Sequence, residues 1–416
     1  MNCINQPVRP NALAFYTLIS LFFACLCIIG CTDQQDLNDQ ASVEAKSNET
    51  SMSQELDLNS QELTCSEPIQ GWNPNGVHKM NSLKQFEGWY YRVTETDSAE
   101  SWVVIAAYWQ DESATPRAFI ELIQASTGAT YKQVFEGFNI EALQANEGEF
   151  ALDLDGLFLS ADQISGRFID EKGAQVQIEI SIDACAYWGA PADDRNRWTM
   201  GWVTELPGPP LKWHVHHLKG SASGGLLVED NNELKIQAQF EDAPVHQEKN
   251  WGVAFPKRWV WLQSNLFEGR PDVAFAAAGG PVFGFDGSPS GYMMGLRWRD
   301  QFFNWRTQDA HIFKQVAFEI DREQQLATWR LSAESLRYKA DIEANAPLNE
   351  LIAVDVPAEG GLAFGAFEHL NAELKIKLYQ RRGVSWTLID ELKSSRTAVE
   401  AGGEFAESIV EVLGQE

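Results

Sequence analysis

Beyond residue 70, apolar and polar side chains alternate with a period of two along most of the chain. In residues 233–240, ELKIQAQF, Leu234, Ile236, Ala238 and Phe240 share one face while Lys235, Gln237 and Gln239 share the other. That is the pattern of an antiparallel strand buried on one side. Similar strands are predicted at 102–109, 118–124, 150–154, 175–182, 212–218, 259–267, 292–298, 316–320, 327–331, 374–379 and 385–389. Clusters of Gly, Pro, Asn and Asp separate them. Only residues 398–413 suggest a helix, and Gly402 and Gly403 would interrupt it. Many short strands and little helix predict an all-β fold of sandwich or barrel type, closure being the usual way to remove unpaired edges. The loops TELPGPP, 204–210, and GSASGG, 220–225, are candidate seams. Placing the boundary near 220 gives domains at 71–219 and 220–416, each about right for a barrel of roughly eight strands whose interior holds one small ligand. No sequence repeat relates the halves.

The front of the chain reads differently. Arg9 precedes an apolar run over 12–29, a length that fits a secretory segment and almost spans a bilayer. It ends in CIIGC, residues 27–31, which resembles a bacterial lipobox. The resemblance implies a lipoprotein signal peptide over 1–30 and lipidation of Cys31; left uncleaved, the run would be a membrane anchor. Either outcome puts the remainder outside the cytoplasm. Thr32 after the cysteine resembles an outer-membrane sorting signal, so the expected location is the cell envelope, at the outer membrane facing the periplasm. Residues 31–70 are rich in Gln, Asn, Ser and acids, with Lys46 the single base, and cannot bury enough apolar surface to order themselves. They read as an acidic tether extended by its own charge. Cys65 and Cys185 are the cysteines left over, a candidate disulfide in an oxidising envelope or two buried thiols.

Charge and composition narrow the partners. Acids exceed bases by 59 to 32, a formal charge of −27, and a polyanion of that size is repelled by phosphate backbones and by anionic lipid headgroups, which sets nucleic acid aside as a partner. Fifteen Trp and twenty-three Phe are a heavy aromatic load, and indoles beyond those a core absorbs suit an apolar or ring-shaped ligand. There is no nucleophile elbow, no Walker loop and no dinucleotide-binding glycine motif. Chemistry-bearing residues gather instead in QFEGWYYR (85–92), WHVHHLKGSASG (213–224), FEDAPVHQEKNWGVAFPKRWVWLQSN (240–265) and AVEAGG (398–403). Strand alternation would place His214 and His216 on one side and His217 on the other. Two imidazoles so spaced could bridge a cation, but no third ligand stands nearby, so neither metal nor cofactor is expected. A proton-donor or ligand-contact role for His214 and His216 is the remaining functional reading, against paired or solvated histidines.

Taken in order, these stretches resemble the tocopherol cyclase family, related more distantly to carotenoid hydratases built on paired lipocalin-like domains. Glu87, Gly88, Trp89 and Tyr90 match its first motif. Glu248, Lys249, Asn250, Trp251, Gly252, Phe255, Pro256, Trp259, Trp261 and Gln263 match its second. Tyr91 and Arg92 stand where Phe and Lys are usual, and a lipoprotein front end replaces the plastid segment of plant members, which leaves the substrate open. The resemblance implies two lipocalin-like β domains and closure of a chromanol ring. A proton is added to an alkene of a prenylated hydroquinone and the phenol oxygen traps the cation; hydration begins the same way, with water as the trap. Such chemistry needs a carboxyl kept protonated by burial, aromatic faces for the cation and a site that excludes bulk water.

The candidate acids are Glu248, with Asp242 just upstream, and Glu87; His214 and His216 are secondary candidates. Trp89, Tyr90, Lys249, Asn250, Trp251, Phe255, Trp259, Trp261 and Gln263 are the expected contacts for a hydrophobic prenylquinol or other isoprenoid. Alternatives stay open: structural hydrogen bonds for Glu248 and Lys249, a non-catalytic lipid or quinone carrier in the envelope, or a scaffold without a small ligand.

Overall fold

The computed structural model describes residues 78, 84–98, 100–110, 115–137, 151–154, 156–189, 198–283, 285, 287–358 and 361–414. Cys31, Cys65, the apolar run and the acidic stretch lie outside these residues. No helix among the described residues is long and apolar enough to cross a membrane.

The fold is all-β, as the alternation predicts. The first sheet comprises β1 (Gln85–Thr94), β2 (Ser101–Gln110), β3 (Arg117–Gln124), β4 (Thr130–Glu136), β5 (Ala151–Leu154), β6 (Leu157–Ser160), β7 (Gln163–Ile169), β8 (Gln175–Tyr187), β9 (Leu211–Asp230) and β10 (Glu233–Gly252). The second comprises β11 (Arg258–Ser264), β12 (Ala274–Pro281), β13 (Ser290–Trp298), β14 (Gln301–Arg306), β15 (Ile312–Asp321), β16 (Leu326–Glu334), β17 (Tyr338–Pro347), β18 (Ile352–Ala358), β19 (Gly361–Arg382) and β20 (Ser385–Gly403). Helix α1 (Glu404–Leu413) follows.

Both sheets are antiparallel meanders closed in the same way. In the first the order is β4-β3-β2-β1-β10-β9-β8-β7-β6-β5; in the second it is β14-β13-β12-β11-β20-β19-β17-β16-β15, with β18 on the free half of β19. Each sheet thus joins its own first and last strands and breaks after its fourth. This shared order is a repeat of topology that the side chains alone do not reveal. In the first barrel the break is narrowed where the Glu171 N–H donates to the Lys132 carbonyl at 2.9 Å. Each sheet curls around its own apolar core, Trp89, Leu152, Leu159 and Ile178 in the first, Leu262, Phe275, Trp329 and Ile376 in the second.

The expected boundary near 220 falls inside β9, and the sheets change between Gly252 and Arg258. GSASGG is an irregular, closely packed stretch of strand. At Gly224, φ is +128° and an added Cβ would lie 2.0 Å from the Glu179 carbonyl oxygen. Small residues let β8, β9 and β10 approach closely there, a strand use of glycine that composition alone reads as a linker. The predicted helix is shortened likewise: residues 398–403 finish β20, and Gly403, at φ +61°, turns the chain into α1. Ala406, Ile409 and Val412 then pack against the second core.

A third apolar layer lies between the barrels. Val103, Ile123, Trp213 and Val215 of the first meet Trp261, Ala276, Leu370 and Ala398 of the second. Arg92 crosses this seam fully buried, donating to Gln263 Oε1 at 2.8 Å, the Leu370 carbonyl at 2.7 Å and the Arg396 carbonyl at 3.1 Å. Cys185 is disulfide-bonded.

Candidate active site

Strands β1 and β10 pair with Glu87 opposite Trp251, Trp89 opposite Lys249 and Tyr90 opposite Glu248. Residues opposite one another share a face and adjacent residues do not. The two motifs singled out in the sequence therefore supply two sites, one on each side of the same strand pair.

On the inner side, Glu87, Trp89, Lys249 and Trp251 look into the first barrel. Lys249 Nζ donates to Glu87 Oε1, and both side chains are fully buried. Tyr108 donates to Glu87 Oε2 at 2.8 Å, and His78 Nδ1 lies 3.0 Å from Glu87 Oε1 and 2.9 Å from Lys249 Nζ. The His78 ring stacks on Trp251 with centroids 4.0 Å apart. Burial alone would raise the Glu87 pKa, but the Lys249 ammonium and His78 together hold it below the usual carboxylate range. Glu87 is therefore an anion in a compensated pair, which corrects the expectation of an acid there.

His214 and His216 also prove unsuited to carry an acidic proton. Burial lowers the His214 pKa, helped by His216 and Lys249, and burial with Lys249 brings His216 to about 4. Both imidazoles are neutral at neutral pH. The expected alternation fails because the β9–β10 register shifts where His217 stands opposite Gln247 and Val215 opposite Glu248. Among the described residues no group of three or more His, Cys, Asp or Glu is placed to hold a metal ion.

On the outer side, Tyr90 and Glu248 face the second barrel and meet Trp259, Trp261 and Gln263 of β11 and the β19–β20 pair. Glu248 Oε2 lies 2.9 Å from His246 Nε2 and accepts the Trp261 indole N–H at 3.0 Å. Tyr90 donates to Glu368 Oε1 at 2.8 Å, and its ring meets Trp261 edge-on at 5.2 Å. Glu368 stands opposite Glu400 across β19–β20, Glu400 stands opposite Trp261 across β11–β20, and the Trp259 indole N–H donates to Glu400. Gly402 makes room for that indole: an added Cβ would lie 2.0 Å from its ring. Phe255 fills the flank, stacked on Phe86 at 4.9 Å. Asn250, opposite Gly88, shares this face.

Burial raises Glu368 to about 8, with Glu400 adding to the rise and Tyr90 and Arg92 opposing it. Burial likewise raises Glu400 to about 7, against the Trp259 hydrogen bond and with Glu248 adding to it. A third acid on this side, Glu121, is raised to about 7 by burial, against the pull of Lys132. Arg92 tempers this excess of acid, but its hydrogen bonds go to carbonyls, Gln263 and the Ser101 hydroxyl rather than to a carboxylate. Burial thus favours the protonated form of Glu368 at neutral pH, the state a general acid requires.

Several expected associations are corrected. Glu248 and Trp251, three residues apart, point to opposite sides of β10, as any odd spacing in a strand dictates. Glu248 finds its indole in Trp261 instead. Asp242 joins neither site: it occupies an exposed bulge at φ 53°, where its carboxylate accepts from Ser221 at 3.1 Å. Glu368 and Glu400 were not singled out, although each is an acid set in an apolar strand, Glu368 in AFEHL and Glu400 in AVEAGG.

Two curled antiparallel sheets of like order, with carboxyls and indoles buried between them, define an all-β twin-barrel protein. The family model described as tocopherol cyclase-like matches residues 123–403, and the chain belongs to that family. It is 27% identical over 223 residues to a probable chloroplastic tocopherol cyclase of Oryza sativa subsp. japonica, covering 52% of this chain and 44% of that one. It is 26% identical over 210 residues to the chloroplastic tocopherol cyclase of Zea mays, covering 49% and 42%. The chain therefore matches less than half the length of these relatives. Among solved structures, kievitone hydratase from Nectria haematococca aligns over 84% of this chain and 98% of its own, at 13% identity and a TM-score of 0.46. CghA with Sch210972 aligns over 78% and 89%, at 11% identity and a TM-score of 0.48.

Proposed function

We propose that the chain is an acid-catalysed cyclase of a prenylated hydroquinone or a related isoprenoid, with Glu368 as the acid. The observation that carries this reading is the Glu368 carboxyl, buried between the barrels, raised to about 8 and hydrogen-bonded by Tyr90. Glu368 gives its proton to the less substituted alkene carbon, leaving a tertiary cation held against the faces of Trp261 and Trp259, each worth about 0.5–2 kcal/mol. The phenol oxygen closes on that cation, and its proton passes to the Glu248–His246 pair before returning to Glu368. No atom is gained or lost. Water admitted in place of the phenol would give hydration by the same first step.

The test is turnover of a prenylated hydroquinone by the purified protein, with ring closure followed by mass spectrometry. Glu368→Gln is expected to lower kcat by a hundredfold or more, the usual scale for a lost general acid. Unchanged turnover in that variant overturns the assignment. The apolar run and CIIGC further support an envelope lipoprotein anchored through Cys31, and the disulfide at Cys185 is in keeping with an oxidising compartment. Labelling with radioactive palmitate, lost in Cys31→Ser, checks the anchor.

A further inference from the structure

The last hairpin of each barrel occupies the same place in the shared strand order, yet the two tips differ in kind. The β9–β10 turn runs through Glu229, Asp230, Asn231, Asn232 and Glu233, an acidic tip in keeping with a chain of net charge −27. The β19–β20 turn runs through Arg381, Arg382, Gly383 and Val384. Beside it lies the β16–β17 turn, because Tyr338 pairs with Gln380 and the Arg381 N–H donates to the Arg337 carbonyl at 2.8 Å. Val384 is 95% exposed and Leu336 82%, the two highest values among the exposed large hydrophobic side chains of the described residues. Ile312, opposite Glu334 on the neighbouring strand, and Leu388, farther along β20, are exposed as well.

The charges around these side chains are not consumed locally. Lys314 pairs with Glu334 and Lys339 with Asp341, so the nearby acids are occupied. Arg337, Arg381 and Arg382 have no ion pair among the described residues, and Arg381 lies 4.2 Å over the Trp386 ring. Three available guanidinium groups around two projecting aliphatic side chains match a partner that is anionic at its surface and apolar just beneath it. An acidic polymer would engage the arginines and leave Val384 and Leu336 in water. A layer of anionic lipid headgroups takes both.

We propose that these paired hairpin tips dock the second barrel onto an anionic lipid surface, with Val384 and Leu336 entering the boundary between headgroups and acyl chains. This surface is independent of the lipidation expected at Cys31 and of the chemistry assigned to Glu368.

The test reads the tip itself, so that any other attachment of the full-length chain does not obscure it. An environment-sensitive fluorescent amino acid replaces Val384 in one protein and Asn231, on the equivalent tip, in another. On vesicles of phosphatidylcholine containing phosphatidylglycerol, the probe at 384 is expected to shift to the blue and to be quenched by brominated acyl chains, while the probe at 231 does neither. Reversing Arg381 and Arg382 to Glu is expected to weaken the response at least about tenfold, since each basic residue near such a surface contributes roughly fivefold. No quenching at 384, or equal quenching at 231, overturns the proposal. So does a shift produced by soluble heparin with no quenching by lipid, which would identify an acidic polymer as the partner.

Discussion

Glu87 and Glu368 are chemically identical and almost equally buried, on opposite sides of the β1–β10 pair, yet they hold opposite protonation states. Glu87 faces a fully buried ammonium and two further hydrogen-bonding groups, and it stays ionised. Glu368 faces Tyr90 and a second acid, Glu400, and it takes up a proton below about pH 8. Burial raises a carboxyl's pKa in both places; what decides the outcome is whether a buried cation bonds the carboxyl directly, as Lys249 does Glu87, or only acts on it without a hydrogen bond, as Arg92 does on Glu368. The first arrangement gives a closed, compensated pair at the core of a barrel. The second holds a protonated carboxyl between two barrels, bonded by the Tyr90 hydroxyl.

This contrast can be broken most forcefully from the inner side. Glu87→Gln leaves Lys249 buried without its counter-charge and is expected to destabilise the fold by roughly 3–5 kcal/mol, read by denaturant unfolding. Glu368→Gln replaces a neutral acid by a neutral amide that still accepts from Tyr90, so its stability is expected to match the wild type within about 1 kcal/mol below pH 4.5 and to exceed it near neutral pH, where the wild type must take up a proton on folding. If both variants lose the same stability, the two sites are not electrostatically different.

The pH dependence of turnover sharpens the comparison next. The proposed acid must be protonated, so kcat/KM is expected to hold below pH 8 and fall above it. Glu400→Gln removes a like charge that raises Glu368; the alkaline limb should therefore move to lower pH. A limb that stays in place argues against coupling between these acids.

Stability should respond to pH in opposite senses at the two sites. Glu368 is raised from 4.5 to about 8 on folding, so its contribution is complete below 4.5 and is lost as pH rises through 8. Glu87 is lowered, so its contribution is present above the ordinary carboxylate range and is lost as pH falls. Unfolding midpoints of Glu368→Gln against pH should lack the alkaline decline attributable to this group. The smallest effect is expected from Trp261→Phe, which removes the indole donor to Glu248. It should cost on the order of 1 kcal/mol in stability or in transition-state binding, measured by the same unfolding and turnover assays.

Much of the fold was legible in the side-chain pattern. Alternation located most strands because a sheet with one face on a core repeats every two residues, as Leu234, Ile236, Ala238 and Phe240 illustrate. It failed at GSASGG, where the strand continues through residues too small to show a face, and so the domain boundary was misplaced. Part of the face between the barrels was equally readable: Tyr90, Glu248, Trp259, Trp261 and Gln263 all lie on it. Lys249 and Trp251, although in the same motif, belong to the other side.

By itself the sequence determined that this chain is an all-β protein of the tocopherol cyclase-like family, since periodicity and motif residues are properties of the chain as written. Which carboxyl carries a proton was decided by tertiary structure alone. That depends on what stands across from each acid, and Glu368 meets Tyr90 from 278 positions away while Lys249 meets Glu87 from 162 away. Proton affinity in an interior is set by neighbours in space, and strand pairing within the first sheet brings Lys249 to Glu87 while the packing of one sheet on the other brings Tyr90 to Glu368.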